Sequence, residues 1–170
     1  MTASEPDDVD LLLAQLKTLP LIDTADLDAE FAAYDAFELL LGAVLRAALV
    51  QVPPAERYDN NGELFKRFVV ERFPACRGLG NMDYASKLWT FRNAVVKNKQ
   101  TGPFLVIHNT PAKHWKIEQG AHVLDLQSLV ADYREAVDNL APLLRSSPEM
   151  KALATAELAG RTVRLVTLTL

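Results

Sequence analysis

Cysteine and long apolar runs are scarce in this sequence, and internal repeats are absent. Cys76 is the only cysteine, so no intrachain disulfide can form. The longest apolar run, residues 37–50, is interrupted by Glu38, Gly42 and Arg46. A membrane-spanning helix needs roughly 18 to 20 consecutive apolar residues, so we expect no membrane span.

The amino terminus lacks a basic segment. Its first ten residues, MTASEPDDVD, contain no Lys or Arg, whereas a secretory signal begins with a basic region and a mitochondrial transit peptide avoids acidic residues. We therefore predict a cytoplasmic protein. Because 170 residues bury one substantial core but are too few for two, residues 1–22 are expected to form an acidic leader with a short accessory helix, and residues 23–170 a single helical domain.

Standard motifs for catalysis and metal binding are also missing. The segment RGLGN, residues 77–81, lacks the lysine and the preceding strand of a nucleotide-binding loop, and no nucleophile-elbow sequence occurs. The three histidines, His108, His114 and His122, are spaced by six and eight residues, which matches no standard metal pattern. We expect neither a metal nor a cofactor.

The net charge of −4 conceals an uneven distribution. Residues 1–38 contain ten acidic residues and one basic residue, Lys17. Residues 39–120 contain twelve basic and six acidic residues, and residues 121–170 contain five and six. A basic middle is compatible with a nucleic-acid surface, because phosphate contacts dominate such affinity. The alternative, favoured by the acidity of the whole chain, is a set of solvated helix faces.

Apolar residues recur at helical spacing along most of the chain. A short stripe in residues 11–19 ends at Pro20 and belongs to the accessory helix. A longer stripe in residues 27–48 predicts a helix of about 27 residues that begins after a cap at residue 23 or 24 and ends at Pro53.

Three further helices are predicted from capping residues and apolar stripes. The first begins at Asn60, which forms a variant capping box with Glu63, and ends at Pro74. The second begins at Asp83 and has the core stripe Tyr84, Leu88, Phe91 and Val95. The third begins at Asp125 and has the core stripe Leu126, Leu129, Val130, Tyr133, Val137 and Leu140. A last short helix is predicted from residue 147 to Gly160.

Two β-prone runs interrupt the helical pattern. The runs FLVIH, residues 104–108, and AHVLD, residues 121–125, flank a loop that contains Pro, Gly and Lys, which predicts a hairpin. The tail RTVRLVTLTL, residues 161–170, is also β-prone and is expected to pair with that hairpin. The predicted fold is mainly α: an antiparallel bundle of four to five helices with a small β-hairpin excursion and a short C-terminal β-prone tail.

One predicted helix carries a polar motif beside its core stripe. The segment KLWTFRNAVVKNK, residues 87–99, places Arg92 and Asn93 after aromatic and aliphatic core residues and before a short loop. This arrangement resembles the signature of the HEPN superfamily, in which an Arg, often followed by Asn, precedes a His by four to six positions near the helix end. The resemblance extends in helix order over about residues 25–145, and its motif-like part is residues 92–97.

The resemblance implies a helical bundle that often dimerises, with Arg and His from both protomers in a shared cleft where RNA is cut without metal. An Arg neutralises a phosphate, and a His with a pKa near neutral moves protons. Here the three permitted His positions are Lys97, Asn98 and Lys99. Because the pKa of Lys is about 10.4, lysine is a poor proton shuttle at pH 7, and we expect a degenerate active site.

Two interpretations of the basic residues remain open. In one, RNA phosphate and bases are contacted by Arg92, Asn93, Lys97, Lys99, Lys113 and Lys116, the last two flanking His114 and Trp115. In the other, Arg92 makes a salt bridge or covers apolar surface, and the lysines near the helix end complement its dipole.

We therefore expect an HEPN-like module that is non-catalytic and acts through RNA or a protein partner, with defence, toxin–antitoxin or RNA-metabolism roles implied by the resemblance alone. One alternative is a metal-independent ribonuclease that pairs Arg92 with His108 or His114. The other is a structural interaction domain whose basic middle binds an acidic partner. A homodimer is expected through the helix that carries residues 84–96, because Trp89 and Val96 lie off its core stripe.

Overall fold

A computed structural model describes residues 6–19, 30–57, 59–74, 81–98, 105–108 and 116–167. Its helices are α1 (Asp8–Lys17), α2 (Glu30–Leu49), α3 (Asn61–Arg72), α4 (Asn81–Asn98), α5 (Leu126–Asp138), α6 (Ala141–Leu144) and α7 (Pro148–Thr167). Its strands are β1 (Leu105–His108), β2 (Lys116–Glu118) and β3 (Ala121–Asp125). The prediction of a mainly α chain is confirmed. In the described part of the chain, no helix has both the length and the apolar character needed to cross a membrane.

The hydrophobic core lies between α1, α2, α3, α4 and α5. The stripes predicted for α4 and α5 are buried along their whole length. Helix α1 is part of this core, because Leu12 and Leu16 are fully buried and the Tyr133 hydroxyl of α5 donates a hydrogen bond of 2.7 Å to the Leu16 carbonyl. The start predicted for the long helix, at residues 23–24, lies outside the described residues.

The helix ends follow the capping predictions with one exception. The Asp125 carboxylate accepts a hydrogen bond of 2.7 Å from the Ser128 amide at the start of α5, as predicted. Asn60 precedes α3, but its side chain makes no capping hydrogen bond, so the predicted capping box is wrong. Asn60 has φ −120° and ψ 15°, whereas an N-cap side chain is aimed at the first-turn amides from the extended region.

The three strands form a sheet in the order β1, β3, β2. Strands β1 and β3 pair in parallel, with Leu105 opposite His122, so the predicted hairpin between these two runs is wrong. The antiparallel partner of β3 is β2, which reverses the chain between them. Gln119 and Gly120, with φ 52° and φ 82°, connect β2 to β3. Positive φ at both positions is what a two-residue hairpin turn of the primed type requires.

Helix α7 continues seven residues beyond the position predicted for its end. Residues 161–167 are helical rather than extended, so the predicted termination at Gly160 and the β-prone tail that follows it are wrong for these residues. The cause is cooperativity: an established helix gains one hydrogen bond per added residue, while Thr and Val lower helix stability by less than about 0.7 kcal/mol each. Residues 168–170 lie outside the described residues.

Candidate nucleic-acid interface

Helix α4 presents its candidate residues beside a buried stripe. Tyr84, Leu88, Phe91 and Val95 face the core, so at about 100° per residue the neighbouring positions 89 and 92 form one flank of the helix. Helix α4 packs against α3 and α2, and the flank with residues 89 and 92 lies towards α3.

Trp89 is packed against α3 and is only partly exposed. Its ring centroid lies 5.2 Å from that of Phe65, with the ring planes tilted by 50°. A Cβ added to Gly62 would lie 3.1 Å from the Trp89 Nε1 atom, so the glycine allows the indole to approach the α3 backbone closely. The prediction that Trp89 is an exposed residue is therefore wrong, because the indole is covered by α3.

Arg92 is bound to its own helix rather than to an acidic side chain. Its Cζ atom lies 5.1 Å from the centroid of the Trp89 ring, a cation–π geometry, and its Nη1 atom donates a hydrogen bond of 3.1 Å to the Asn93 Oδ1 atom. Among the side chains that the structure describes, no carboxylate forms an ion pair with Arg92. The salt bridge expected by the alternative interpretation is not formed within the described residues, so the guanidinium charge is not neutralised there.

Other arginines of the chain show the contrast. Arg57 donates to the Glu157 carboxylate at 3.1 Å, and Arg145 pairs with both Asp7 and Asp10. Arg92 instead has an aromatic face below its guanidinium plane and an amide at one edge, and its Nε atom is buried with no acceptor among the described residues. An arginine oriented in this way keeps donors for a further acceptor such as a phosphate oxygen.

The other predicted site residues are placed less completely. Lys97 lies in the last turn of α4, His108 is the last residue of β1 and Lys116 the first of β2, and the side chains of all three lie outside the described part of the structure. Lys99, Lys113 and His114 lie outside the described residues altogether. Arg92 and Asn93 are therefore the two predicted residues whose contact is described.

The histidine whose ring is described, His122 on β3, lies beside a different flank of α4. Its Nε2 atom is 3.2 Å from the Lys87 Nζ atom, and its ring centroid is 5.7 Å from that of Phe91. Burial, and secondly the charge of Lys87, lower the pKa of His122 below its ordinary value. A charged Lys87 donates this hydrogen bond, so Nε2 is the unprotonated nitrogen of a neutral imidazole.

The pair of Lys87 and His122 is a feature that sequence reasoning missed. The two residues are 35 positions apart, and neither belongs to a recognisable motif, so only the packing of β3 on α4 brings them together. Lys87 and Arg92 are five residues apart and diverge by about 140° around the helix axis. His122 is therefore positioned to act with Lys87 rather than with Arg92.

In the described part of the chain, no group of three or more His, Cys, Asp or Glu side chains is arranged to bind a metal ion. Comparison of the chain with protein-family models, curated proteins and solved structures finds no match. A candidate function therefore rests on the chemistry of the residues on α4.

Proposed function

We propose that the chain is a non-catalytic, HEPN-like helical module that binds RNA phosphate through the α4 surface of Arg92, Asn93 and Lys97. The observation that carries the proposal is the state of Arg92: it is stacked on Trp89, bonded to Asn93 and without an ion-pair partner among the described residues. A guanidinium oriented in this way loses little conformational entropy when it binds a phosphate.

Binding is favoured over cleavage by the residue types near Arg92. Lys97, which stands where the resembled family has its histidine, adds positive charge but is a poor proton carrier at neutral pH, since the pKa of Lys is about 10.4. The described imidazole, that of His122, contacts Lys87 and Phe91 on another flank of the helix. The ribonuclease alternative would need His108 or His114 to approach Arg92.

We also propose that α4 contributes to a homodimer. Its large exposed apolar residues are Met82, 56% exposed, and Val96, 38% exposed. These residues are 14 positions apart, which places them about 40° apart around the axis and about 21 Å apart along it. The intervening position at the same seven-residue spacing is Trp89, which supports Arg92, so a second copy on this face would approach the proposed phosphate surface.

The RNA proposal is tested by fluorescence anisotropy with a labelled single-stranded RNA. The variant Arg92→Gln/Lys97→Gln should bind at least about tenfold more weakly than the parent, because each charged hydrogen bond contributes roughly 1.5 to 3 kcal/mol. The matched control is Lys151→Gln, which removes an exposed charge from α7 and should change affinity less than about twofold. Equal affinity of the parent and the double variant, or no binding by the parent, would leave the protein-interaction alternative as the better account.

A further inference from the structure

A second polar site lies between α2 and α7, away from the flank of α4 that carries Arg92. It is a groove of about 380 Å³ whose lining includes Leu45 and Leu49 of α2, Glu157 of α7, and two arginines, Arg46 and Arg57. This volume falls in the range of small-molecule sites, which combine apolar walls with a few convergent polar groups.

The three charged side chains of the groove converge on one carboxylate. Arg57 Nη1 donates to Glu157 Oε2 at 3.1 Å, and Arg46 Nε lies 3.9 Å from Glu157 Oε1, beyond hydrogen-bond distance. Arg57 is fixed from behind, because its Nε atom donates a hydrogen bond of 3.0 Å to the Val52 carbonyl. The three side chains are 23%, 21% and 18% exposed in the order Arg46, Arg57 and Glu157, so a ligand in the groove can reach them.

The charge of the groove selects the kind of ligand. The described side chains that line it carry two positive charges and one negative charge. Glu157 lies where the two guanidiniums converge, which shows that the site accommodates a carboxylate-sized anion. A carboxylate or phosphate is the group that arginine binds with favourable geometry.

Two glycines keep the groove open. Gly42 of α2 and Gly160 of α7 both line it, and a Cβ added at either would have no neighbour within 4 Å. Glycine inside a helix lowers stability by roughly 0.5 to 1 kcal/mol relative to alanine, and close helix contact, the usual structural reason for it, does not apply at these two positions. Their effect is to leave the space between the helices unfilled.

We propose that this groove binds a small anion with an apolar body, either a carboxylate or a phosphate monoester. The anionic head contacts Arg46 and Arg57 beside Glu157, and the apolar body lies along Leu45 and Leu49. The site is independent of the proposed RNA surface, because it is formed by α2, α7 and Arg57 rather than by α4.

The probes are hexanoate and hexyl phosphate, with hexanol as the neutral control, titrated into ¹⁵N-labelled full-length protein. The backbone amide signals of Gly42 and Gly160 should shift saturably with at least one anion and not with hexanol, and the comparison of the two anions identifies the preferred head group. No saturable shift with either anion, or an equal shift with hexanol, would overturn the proposal.

Two variants that break the same ion pair should have opposite effects. Arg57→Gln should weaken binding of the anion by at least about tenfold, whereas Glu157→Gln should tighten it by roughly fivefold, because a like charge beside the ligand is removed. If the three residues only hold α7 on α2, both variants lower thermal stability and neither tightens binding, which would contradict the proposal.

Gly42→Leu keeps the test valid if an arginine variant does not fold. The new side chain enters open space and favours the helix, so the fold should be kept while binding of the anion is lost. Unchanged binding by Gly42→Leu would overturn the proposal. Arg92→Gln should bind the anion as the parent does, so failure of this site and failure of the RNA proposal are distinguishable.

Discussion

At the scale of single residues, Arg92 depends on its neighbours for its orientation. The indole of Trp89 lies below the guanidinium, and the indole is in turn positioned by Phe65 and by the missing side chain of Gly62. Asn93 accepts a hydrogen bond from one edge of the guanidinium. The remaining donors of Arg92 are thus presented by a rigid support formed by α3 and α4.

The residue at position 97 decides between binding and cleavage. Lys97→His would restore the arrangement of the resembled family, so the variant should acquire weak RNA cleavage that persists in the presence of a chelator, since the chemistry needs a general base but no metal. Denaturing electrophoresis of a labelled RNA measures the product, and Lys97→Gln is the control for loss of charge alone. No cleavage by Lys97→His would mean that the cleft needed for catalysis is absent from this chain.

The pair of Lys87 and His122 predicts a pH dependence. The folded pKa of His122 lies below its unfolded value of about 6.5, so the unfolded chain binds more protons as the pH falls through and below that value. The contribution of His122 to stability is therefore present above about pH 6.5 and is lost in acid.

Replacing Lys87 by methionine tests the cause of this shift. Lys87→Met removes the neighbouring charge and should raise the pKa of His122, measured from the NMR titration of its ring, while burial keeps it below the unfolded value. The melting temperature of His122→Gln should depend less on pH between about 5 and 7 than that of the parent. A pKa of His122 that is unchanged in Lys87→Met would contradict the role assigned to the lysine.

At the scale of elements, the described part of α4 has two functional flanks and one buried face. The buried face was predictable from sequence, because apolar residues separated by three and four positions must share one side of a helix. The same reasoning predicted the stripe of α5 and its cap at Asp125, which depend only on local sequence.

The features that sequence did not predict depend on contacts between distant residues. Pairing of β1 with β3 is parallel because a third strand, β2, intervenes and reverses the chain, and β2 is only three residues long. Trp89 is covered because α3 presents a glycine to it, which no pattern within α4 indicates. Of the candidate site, the sequence identified Arg92 and Asn93, but neither the aromatic support of Arg92 nor the partner of His122.

The exposed apolar face of α4 makes the homodimer testable. The parent should sediment as a dimer at micromolar concentration, and Val96→Glu should shift it towards monomer by placing a charge at an apolar contact. Leu11→Glu is the matched control, since Leu11 is an exposed leucine on α1 and should leave the dimer intact. A parent that sediments strictly as a monomer would contradict the proposal.

At the scale of the whole molecule, acidic and basic segments pack on different elements. Helix α1 carries acidic residues of the leader and packs against α7, α5 and α6, whereas α4 packs against α3 and α2. Asp7 and Asp10 pair with Arg145, and the Asp10 amide, followed by the charge of Arg145, holds the pKa of the Asp7 carboxyl below its usual range. The acidic leader is thus used partly within the fold, and a polyanion can approach α4 without meeting it.

The salt dependence of RNA affinity tests the central claim most directly. Each phosphate contact on a single strand contributes about 0.7 to the slope of log affinity against log salt concentration, so Arg92→Gln/Lys97→Gln should make the slope shallower by roughly 1.4. Anisotropy titrations of the parent and the double variant at several salt concentrations measure it, with the melting temperatures compared to establish that both are folded. A slope that is the same in the two proteins would contradict the assignment of α4 as a phosphate-binding surface.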